Sequence, residues 1–239
     1  MRVLGLVPAR GGSKGIPRKN VRELNGKPLI AYTFEQAKRA SAITDIVCST
    51  DDDEVSSLAS KWGVGLPFRR PLALATDTAS IKDVVVHALD TLANAGRDYD
   101  AVMLLQPTSP FRSAEDIDAA VEILRNEDAD CVISLSVVSH QHPFYMYRLA
   151  GGRPIPLFPE SVGIRRQEFA EIYIRNGAIY LTRTSALRMT GSLYGRSQAA
   201  YVMPAERSIN IDEQADWDLA ERYLVGQSRG SGYDTHTQR

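Results

Sequence analysis

Between Pro8 and Asn20 the chain concentrates residue types suited to binding phosphate: Pro8-Ala9-Arg10-Gly11-Gly12-Ser13-Lys14-Gly15-Ile16-Pro17-Arg18-Lys19-Asn20. The glycines let the main chain approach a ligand and present its N–H groups to it. Arg10, Lys14, Arg18 and Lys19 offer charge enough to neutralise a triphosphate, and arginine adds bidentate geometry. Arg2 and Arg22 extend this cationic stretch, and no acidic residue precedes Glu23. The whole chain of 239 residues nevertheless carries a formal net charge of only -1. A local cationic segment in a neutral protein points to a small anionic ligand rather than a polyanion or a membrane surface. Two familiar phosphate motifs are absent. Gly26-Lys27 is followed by Pro28, which rules out a Walker A segment, and no Gly-x-Gly-x-x-Gly occurs. A solvated basic turn would have a similar composition. Placement directly after an apolar run favours a ligand cradle, because open α/β sheets bind ligands beyond the carboxyl ends of their strands.

The elements that must carry this loop follow from hydrophobic patterning. Residues 3–7 form a short apolar run closed by Pro8, as expected of a buried parallel strand. Pro28 opens a helix in which Leu29, Ile30, Phe34 and Ala37 share a face. Residues 45–50 read as a second strand, with an acidic helix start at Asp51-Asp52-Asp53-Glu54. Ile81, Val84, Val85, Ala88, Leu89 and Leu92 define an amphipathic helix. Residues 101–105 form a third strand, and Ser113 with Asp116 makes a variant capping box. Strands at 131–137 and 177–182 and a helix at 212–224 complete the pattern. This alternation predicts a three-layer α/β fold with a mostly parallel, Rossmann-like sheet in a single domain over 1–225. Residues 140–174 break the rhythm with prolines and aromatics, which suggests an insertion, either a hairpin or a dimerisation arm. Its Phe144-Tyr145-Met146-Tyr147 cluster suits either a local core or contact with a partner subunit. The Gly- and Ser-rich segment 226–239 reads as a disordered tail.

Apolar residues make up 44% and charged residues 24%, the balance of an ordinary soluble domain. No apolar run reaches the ~18 residues that cross a bilayer, and the N-terminus lacks signal-peptide architecture. A cytoplasmic location, with neither nucleic acid nor membrane as partner, is the expectation. Cys48 and Cys131 fall in strand-like runs and read as buried free thiols. His140 and His142 form a His-x-His pair without a third ligand nearby, so zinc is not expected. His87, inside the amphipathic helix, reads as structural.

The first loop resembles the nucleotide-binding signature of the acylneuraminate cytidylyltransferases, the CMP-sialic acid synthetase family. Four further stretches resemble the family in order. They are Arg69-Arg70-Pro71 with Ala75-Thr76-Asp77-Thr78-Ala79-Ser80; Leu105-Gln106-Pro107-Thr108-Ser109-Pro110-Phe111-Arg112; Arg165-Arg166-Gln167 with Arg175-Asn176-Gly177-Ala178-Ile179-Tyr180; and Ser208-Ile209-Asn210-Ile211-Asp212 with Asp216-Trp217. The resemblance spans about residues 3–224. It implies a fold of the nucleotidyltransferase type and a reaction in which the anomeric hydroxyl of an acidic sugar attacks the α-phosphate of CTP and releases pyrophosphate. It implies nucleotide contacts from Arg10, Gly12, Ser13, Lys14, Lys19, Asn20, Arg70 and Ser80, with Lys19 on the phosphates. It also implies sugar contacts from Gln106, Thr108, Ser109, Arg166, Gln167 and Asn176, and Mg2+ at Asp212 and Asn210. Lys19, Arg10 and Asp212 are the residues expected to carry catalysis. The family's arm crosses between subunits, which implies a homodimer. The proton acceptor is open among a metal-bound hydroxide, a carboxylate and the departing pyrophosphate.

The sequence departs from the family at Asn210. An Asp-x-Asp pair is usual there, and an amide oxygen ligates with less charge; Asp77, Asp216 and Asp218 are candidate substitutes. Asn210 also raises the alternative of a catalytically weak nucleotide-binding homologue. Gln106-Pro107-Thr108, where Kdo enzymes usually have Gln-Gly-Asp, favours a nine-carbon sugar of the sialic type. Legionaminate, pseudaminate and Kdo are alternatives.

Overall fold

The computed structural model describes residues 1–12, 15–138 and 141–230, with side chains of the last helix through residue 227. The apolar runs form their strands with ends within one residue of expectation: β1 (Val3–Pro8), β4 (Asp45–Ser49), β5 (Ala101–Leu104) and β6 (Cys131–Val137). Between β1 and α1 (Leu29–Arg39) lie the two-residue strands β2 (Glu23–Leu24) and β3 (Lys27–Pro28), so Pro28 stands one place before the helix rather than in its first turn. α2 (Asp53–Lys61) starts at Asp52, whose carboxylate accepts from the N–H groups of Glu54 and Val55. α3 (Ile81–Asn94) buries Val84, Val85, Ala88, Leu89 and Leu92 of the apolar face read from its spacing, while Ile81, at its first turn, is left exposed. α4 (Ala114–Asn126) carries the capping box of Ser113 and Asp116 in full.

The central sheet has the order β10-β6-β9-β5-β1-β4. All its pairings are parallel except those of β9 (Tyr173–Arg183), which runs antiparallel between β5 and β6. That strand is longer than the expected 177–182. α5 (Thr184–Thr190) and β10 (Gln198–Val202) were not anticipated. Helices α1, α2 and α4 cover one face through Ile30, Phe34, Val55, Ala59, Ile117 and Val121. α3 and α5 cover the other through Val85, Ala88, Leu89, Leu92 and Leu187, which completes three layers. Both cysteines are buried free thiols, and burial pushes Cys48 up to about 12.

The last helix, α6 (Gln214–Gly230), begins two residues later and runs six residues further than expected. The Asp216 carboxylate accepts from the N–H groups of Asp212 and Glu213, which fixes the start. Gln227 donates to the Tyr223 hydroxyl one turn back, within the segment expected to be disordered. Residues 231–239 lie outside the described residues.

The arm forms a hairpin of β7 (Tyr147–Ala150) and β8 (Arg153–Pro156). Gly151 and Gly152, at φ 56 and 77, close the two-residue turn, which demands positive φ at both central positions. His142, Phe144, Phe158 and Phe169 stack into a small aromatic cluster at the arm's base. The His142 ring accepts from the Phe144 N–H through Nδ1, with Nε2 3.3 Å from the Ala170 carbonyl oxygen. His140 lies outside the described residues. Tyr147, Leu149, Leu157 and Val162 are left exposed.

Candidate active site

The first loop leaves β1 at its carboxyl end and is pinned by its small residues. A Cβ on Gly15 would lie 2.1 Å from the Asp212 carbonyl oxygen, so no larger residue fits between the loop and the segment before α6. Ile16 continues that contact into a small core with Ile211 and the fully buried Trp217. Asn20 closes the loop on itself by donating to the Arg10 carbonyl at 3.2 Å. These contacts bring together residues nearly two hundred positions apart. Lys19 Nζ donates to the Ile211 carbonyl at 2.7 Å and to Asp212 Oδ1 at 3.1 Å. Arg10 pairs with Asp77 at 2.7 Å, and Arg18, at φ 55, pairs with Glu54.

An open cleft of about 550 Å³ lies above these residues. Arg10, Gly12, Lys19, Asn20, Arg70, Gln106, Thr108, Asn210 and Asp212 all line it, as does Asp77. Arg70 is buried and donates from Nε to the Ser49 hydroxyl at 3.1 Å and from a terminal nitrogen to the Ser49 carbonyl. Burial lowers its pKa, with Asp51 acting in the opposite direction. Ser80 precedes α3 at its N-cap position, between the cleft-lining Ala79 and Ile81. Ser13 and Lys14 lie outside the described residues.

The opposite wall is built from a bulge. Between Ile133 and Leu135 the register of β6 against β9 shifts, and Asn176, Gly177 and Ala178 lie in the interrupted stretch. Side chains replace the missing ladder bonds: the Ile179 N–H donates to Ser134 Oγ at 2.7 Å, and Ser134 Oγ donates to Asn176 Oδ1 at 2.6 Å. Asn176 Nδ2 donates to Ser208 Oγ at 2.9 Å. Bulges often re-aim side chains beside active sites. Here Gly177 has φ 76, and the place its Cβ would take is 3.3–3.4 Å from Ser109 Oγ, Asn210 Oδ1 and Gln106 Oε1. Ser109 Oγ lies 3.2 Å from the Asn176 carbonyl and 3.3 Å from Asn210 Oδ1. Asn176 and Ser109 are thus buried behind the cleft surface rather than on it. Arg166 and Gln167 stand on a 3-10 turn of the arm, Arg166–Glu168, and do not line this cleft. Sequence reasoning singled out neither Ser134 nor Ser208, since a serine in a strand or a turn carries no local signal of such a role.

The oxygen donors suited to a hard cation are the Asp212 carboxylate and the Asn210 amide oxygen. Asp212 Oδ2 accepts from Asn210 Nδ2 at 2.5 Å, while Asn210 Oδ1 faces Ser109. Among the described residues no group of three or more His, Cys, Asp or Glu side chains is placed to hold a metal ion.

A cationic glycine loop facing a neutral polar wall across one cleft suits a phosphorylated nucleotide and a hydroxyl-rich acceptor. The model of the family described as cytidylyltransferase matches residues 4–229. The chain belongs to the cytidylyltransferase family. It is therefore a nucleotidyltransferase. It is 35% identical to a CMP-N,N'-diacetyllegionaminic acid synthase from Legionella pneumophila, over 94% of this chain and 97% of that protein. It is 34% identical to an N-acylneuraminate cytidylyltransferase of Escherichia coli, over 92% of this chain but 51% of the relative. A pseudaminic acid cytidylyltransferase of Campylobacter jejuni is 30% identical over 92% of this chain and 95% of the relative. The fold is shared with a solved CMP:2-keto-3-deoxy-manno-octonic acid synthetase in complex with CTP, at a TM-score of 0.70 and 16% identity, covering 95% of this chain and 100% of the other. No described helix of the cytidylyltransferase is long and apolar enough to cross a membrane.

Proposed function

We propose that this cytidylyltransferase transfers CMP from CTP to the anomeric hydroxyl of a nine-carbon acidic sugar of the sialic type, releasing pyrophosphate. The observation that carries the reading is the convergence of Arg10, Lys19, Gln106, Thr108 and Asp212 on one cleft. Phosphoryl-type transfer asks a protein for positioning and charge stabilisation more than for covalent chemistry. Lys19 and Arg10 hold the phosphate oxygens and exchange their present carboxylate partners for them. Gln106 and Thr108 orient sugar hydroxyls against the wall stiffened by Asn176 and Ser109. Relatives named for legionaminate, N-acylneuraminate and pseudaminate lie between 30% and 35% identity, so they support the acidic nine-carbon class without ranking its members.

Mg2+ fits the donor set. Asp212 and Asn210 would hold it together with triphosphate oxygens, consistent with magnesium's habit of taking one or two carboxylates plus substrate phosphates and water. When bound it would offset charge on the triphosphate. The enzyme acts as a homodimer in which the arm crosses to the partner, where Arg166 and Gln167 meet the carboxylate end of the sugar. The exposed Tyr147, Leu149, Leu157 and Val162 support this assembly, as does the place of Arg166 outside the lining of its own cleft.

The test is pyrophosphate release from the purified enzyme with CTP and Mg2+, across N-acetylneuraminate, legionaminate, pseudaminate and Kdo. Release with a nine-carbon sugar, lost with chelator and absent with ATP, GTP or UTP, is expected. CTP binding without release on any acidic sugar would overturn the reading. Sedimentation should give a dimer, and a fully active monomer would remove the arm from the site.

A further inference from the structure

Arg112 is the most deeply buried cation among the described residues, at 1% exposure. An isolated buried charge is costly unless other groups compensate it, and its surroundings show what does so. One terminal nitrogen donates to the Ala178 carbonyl at 2.5 Å, and the other donates to the Thr33 hydroxyl on α1 at 2.8 Å. Both reach the Gln106 carbonyl, at 3.4 and 3.5 Å. Its Nε has no partner. The carboxylate that compensates it electrostatically, Asp116, makes its own bonds to Ser113, Tyr201 and Arg207.

The guanidinium therefore ties the Ala178 carbonyl, which the strand pairing leaves open, to the Gln106 carbonyl, which also accepts from the Ser109 N–H at 3.3 Å. Ala178 lies in the bulged stretch of β9, outside its pairing with β5 and β6. Gln106 follows the end of β5 and begins the loop that carries Thr108 and Ser109. These same two segments face each other across Gly177, whose absent Cβ leaves room for Gln106 Oε1, Ser109 Oγ and Asn210 Oδ1. A planar fork with several fixed donors can hold both carbonyls at once. A lysine would direct a single compact ammonium at them.

We propose that Arg112 is a positioning residue for the acceptor side of the reaction, fixing the segment 105–109 against the β9 bulge from behind without touching either substrate. This rests on the reading of Gln106 and Thr108 as sugar contacts. The loop that faces CTP has its own anchors in Gly15, Ile16 and Trp217 and meets the segment 105–109 only indirectly, through residues 210 and 211, which bond Ser109 and the Thr108 carbonyl at 3.3 and 2.7 Å, so Arg112 acts first on the acceptor side.

The experiment compares Arg112→Met and Arg112→Lys with the unaltered enzyme. It measures the sugar KM, the CTP dissociation constant by calorimetry, and amide exchange at Leu105, Thr108 and Ser109 by mass spectrometry. In Arg112→Met the sugar KM should rise about tenfold or more, as expected when a reacting group is misplaced by a fraction of an ångström. CTP binding should stay within about twofold, because the core of Ile16, Ile211 and Trp217 holds its loop whether or not the Gln106 carbonyl is tied. Exchange in 105–109 should accelerate. Arg112→Lys, which restores the charge but not the fork, should recover part of the loss. Parallel weakening of CTP and sugar would show a merely structural role and overturn the proposal, as would an unchanged sugar KM. If Arg112→Met fails to fold, Thr33→Val, which removes one acceptor, takes its place: the same one-sided rise in sugar KM supports the proposal and no change overturns it. An unaltered enzyme inactive on every acidic sugar would instead remove the substrate reading. Unchanged exchange would then still overturn the tie.

Discussion

On the first loop, Arg10, Arg18 and Lys19 each hold a carboxylate at or near the surface, whereas across the cleft Ser109, Ser134, Asn176 and Ser208 hold one another in a largely buried network. The two walls are made for different tasks. Partly exposed ion pairs contribute little to stability and exchange partners readily, which suits groups that, under the proposed function, let go of Asp77 or Asp212 to take hold of a phosphate. A buried network costs free energy wherever one member is left unpaired, which suits a wall that, under the proposed function, keeps its shape while sugars come and go. The Asn176 amide shows the contrast within one side chain: its oxygen accepts from Ser134 and from the Ala178 N–H, and its nitrogen donates to Ser208.

If the loop works by exchange, removing its best-placed cation should affect chemistry and not folding. Lys19→Ala should lower turnover by about 10²–10³-fold, the scale of deleting one preorganised electrostatic contact. Its thermal transition should stay within about 3 °C of the unaltered enzyme. Wild-type rates of pyrophosphate release in this variant would break the comparison at once. The wall should respond in the opposite way. Asn176→Ala takes one hydrogen-bond partner each from Ser134, Ser208 and the Ala178 N–H and should cost about 1–3 kcal/mol in urea denaturation, with CTP affinity unchanged. A variant as stable as the parent would mean that the wall is not held by its buried polar groups.

How much of this was legible in the sequence follows the same division. The parallel strands were readable because burial on both faces leaves continuous apolar runs, as in residues 3–7 and 131–137. The loop was readable because glycine and cations were adjacent in the chain. Its carboxylate partners were not, since Lys19 and Asp212 are brought together by tertiary packing, that of Ile16 with Ile211 and Trp217 and of Gly15 against Asp212. β9 was foreshortened because its first residues, Tyr173, Ile174 and Arg175, are exposed and precede a bulge, so neither alternation nor a buried run marks them. α5 spans a single short stretch of seven residues, too few to establish a period. Arg112 stood inside a recognised motif, but burial is what makes it informative, and burial is a tertiary property.

Asn210 sits where the two walls meet, and a substitution there sharpens the contrast. Asn210→Asp would set a second carboxylate beside Asp212 Oδ2 in place of the present amide donor. Two like charges this close raise each other's pKa and favour a cation between them. The Mg2+ concentration for half-maximal activity should fall about three- to tenfold, since added ligand charge strengthens binding of hard cations. Manganese binding followed by electron paramagnetic resonance should tighten in parallel, and thermal stability without metal should drop. A variant with unchanged metal dependence would place the cation away from this corner.

The smallest effect is expected at Asp77, the partner of Arg10. Both side chains are partly exposed, at 31% and 45%, so the pair contributes less than about 1 kcal/mol to folding and Asp77→Asn should unfold at nearly the parent temperature. Its consequence lies in binding. Under the proposed function, CTP takes Arg10 from a carboxylate. In the variant the guanidinium meets no such competitor, and one negative charge is gone from a cleft that receives a triphosphate. Calorimetry at low salt should therefore show CTP bound about two- to fivefold more tightly, and the difference should shrink as ionic strength rises and the Debye length falls towards about 3 Å. Weaker binding of CTP in the presence of Mg2+, with no change in its absence, would give Asp77 a different task, as a metal ligand facing Asp212 across the cleft. The first wall would then be part of the metal site rather than a set of exchangeable ion pairs.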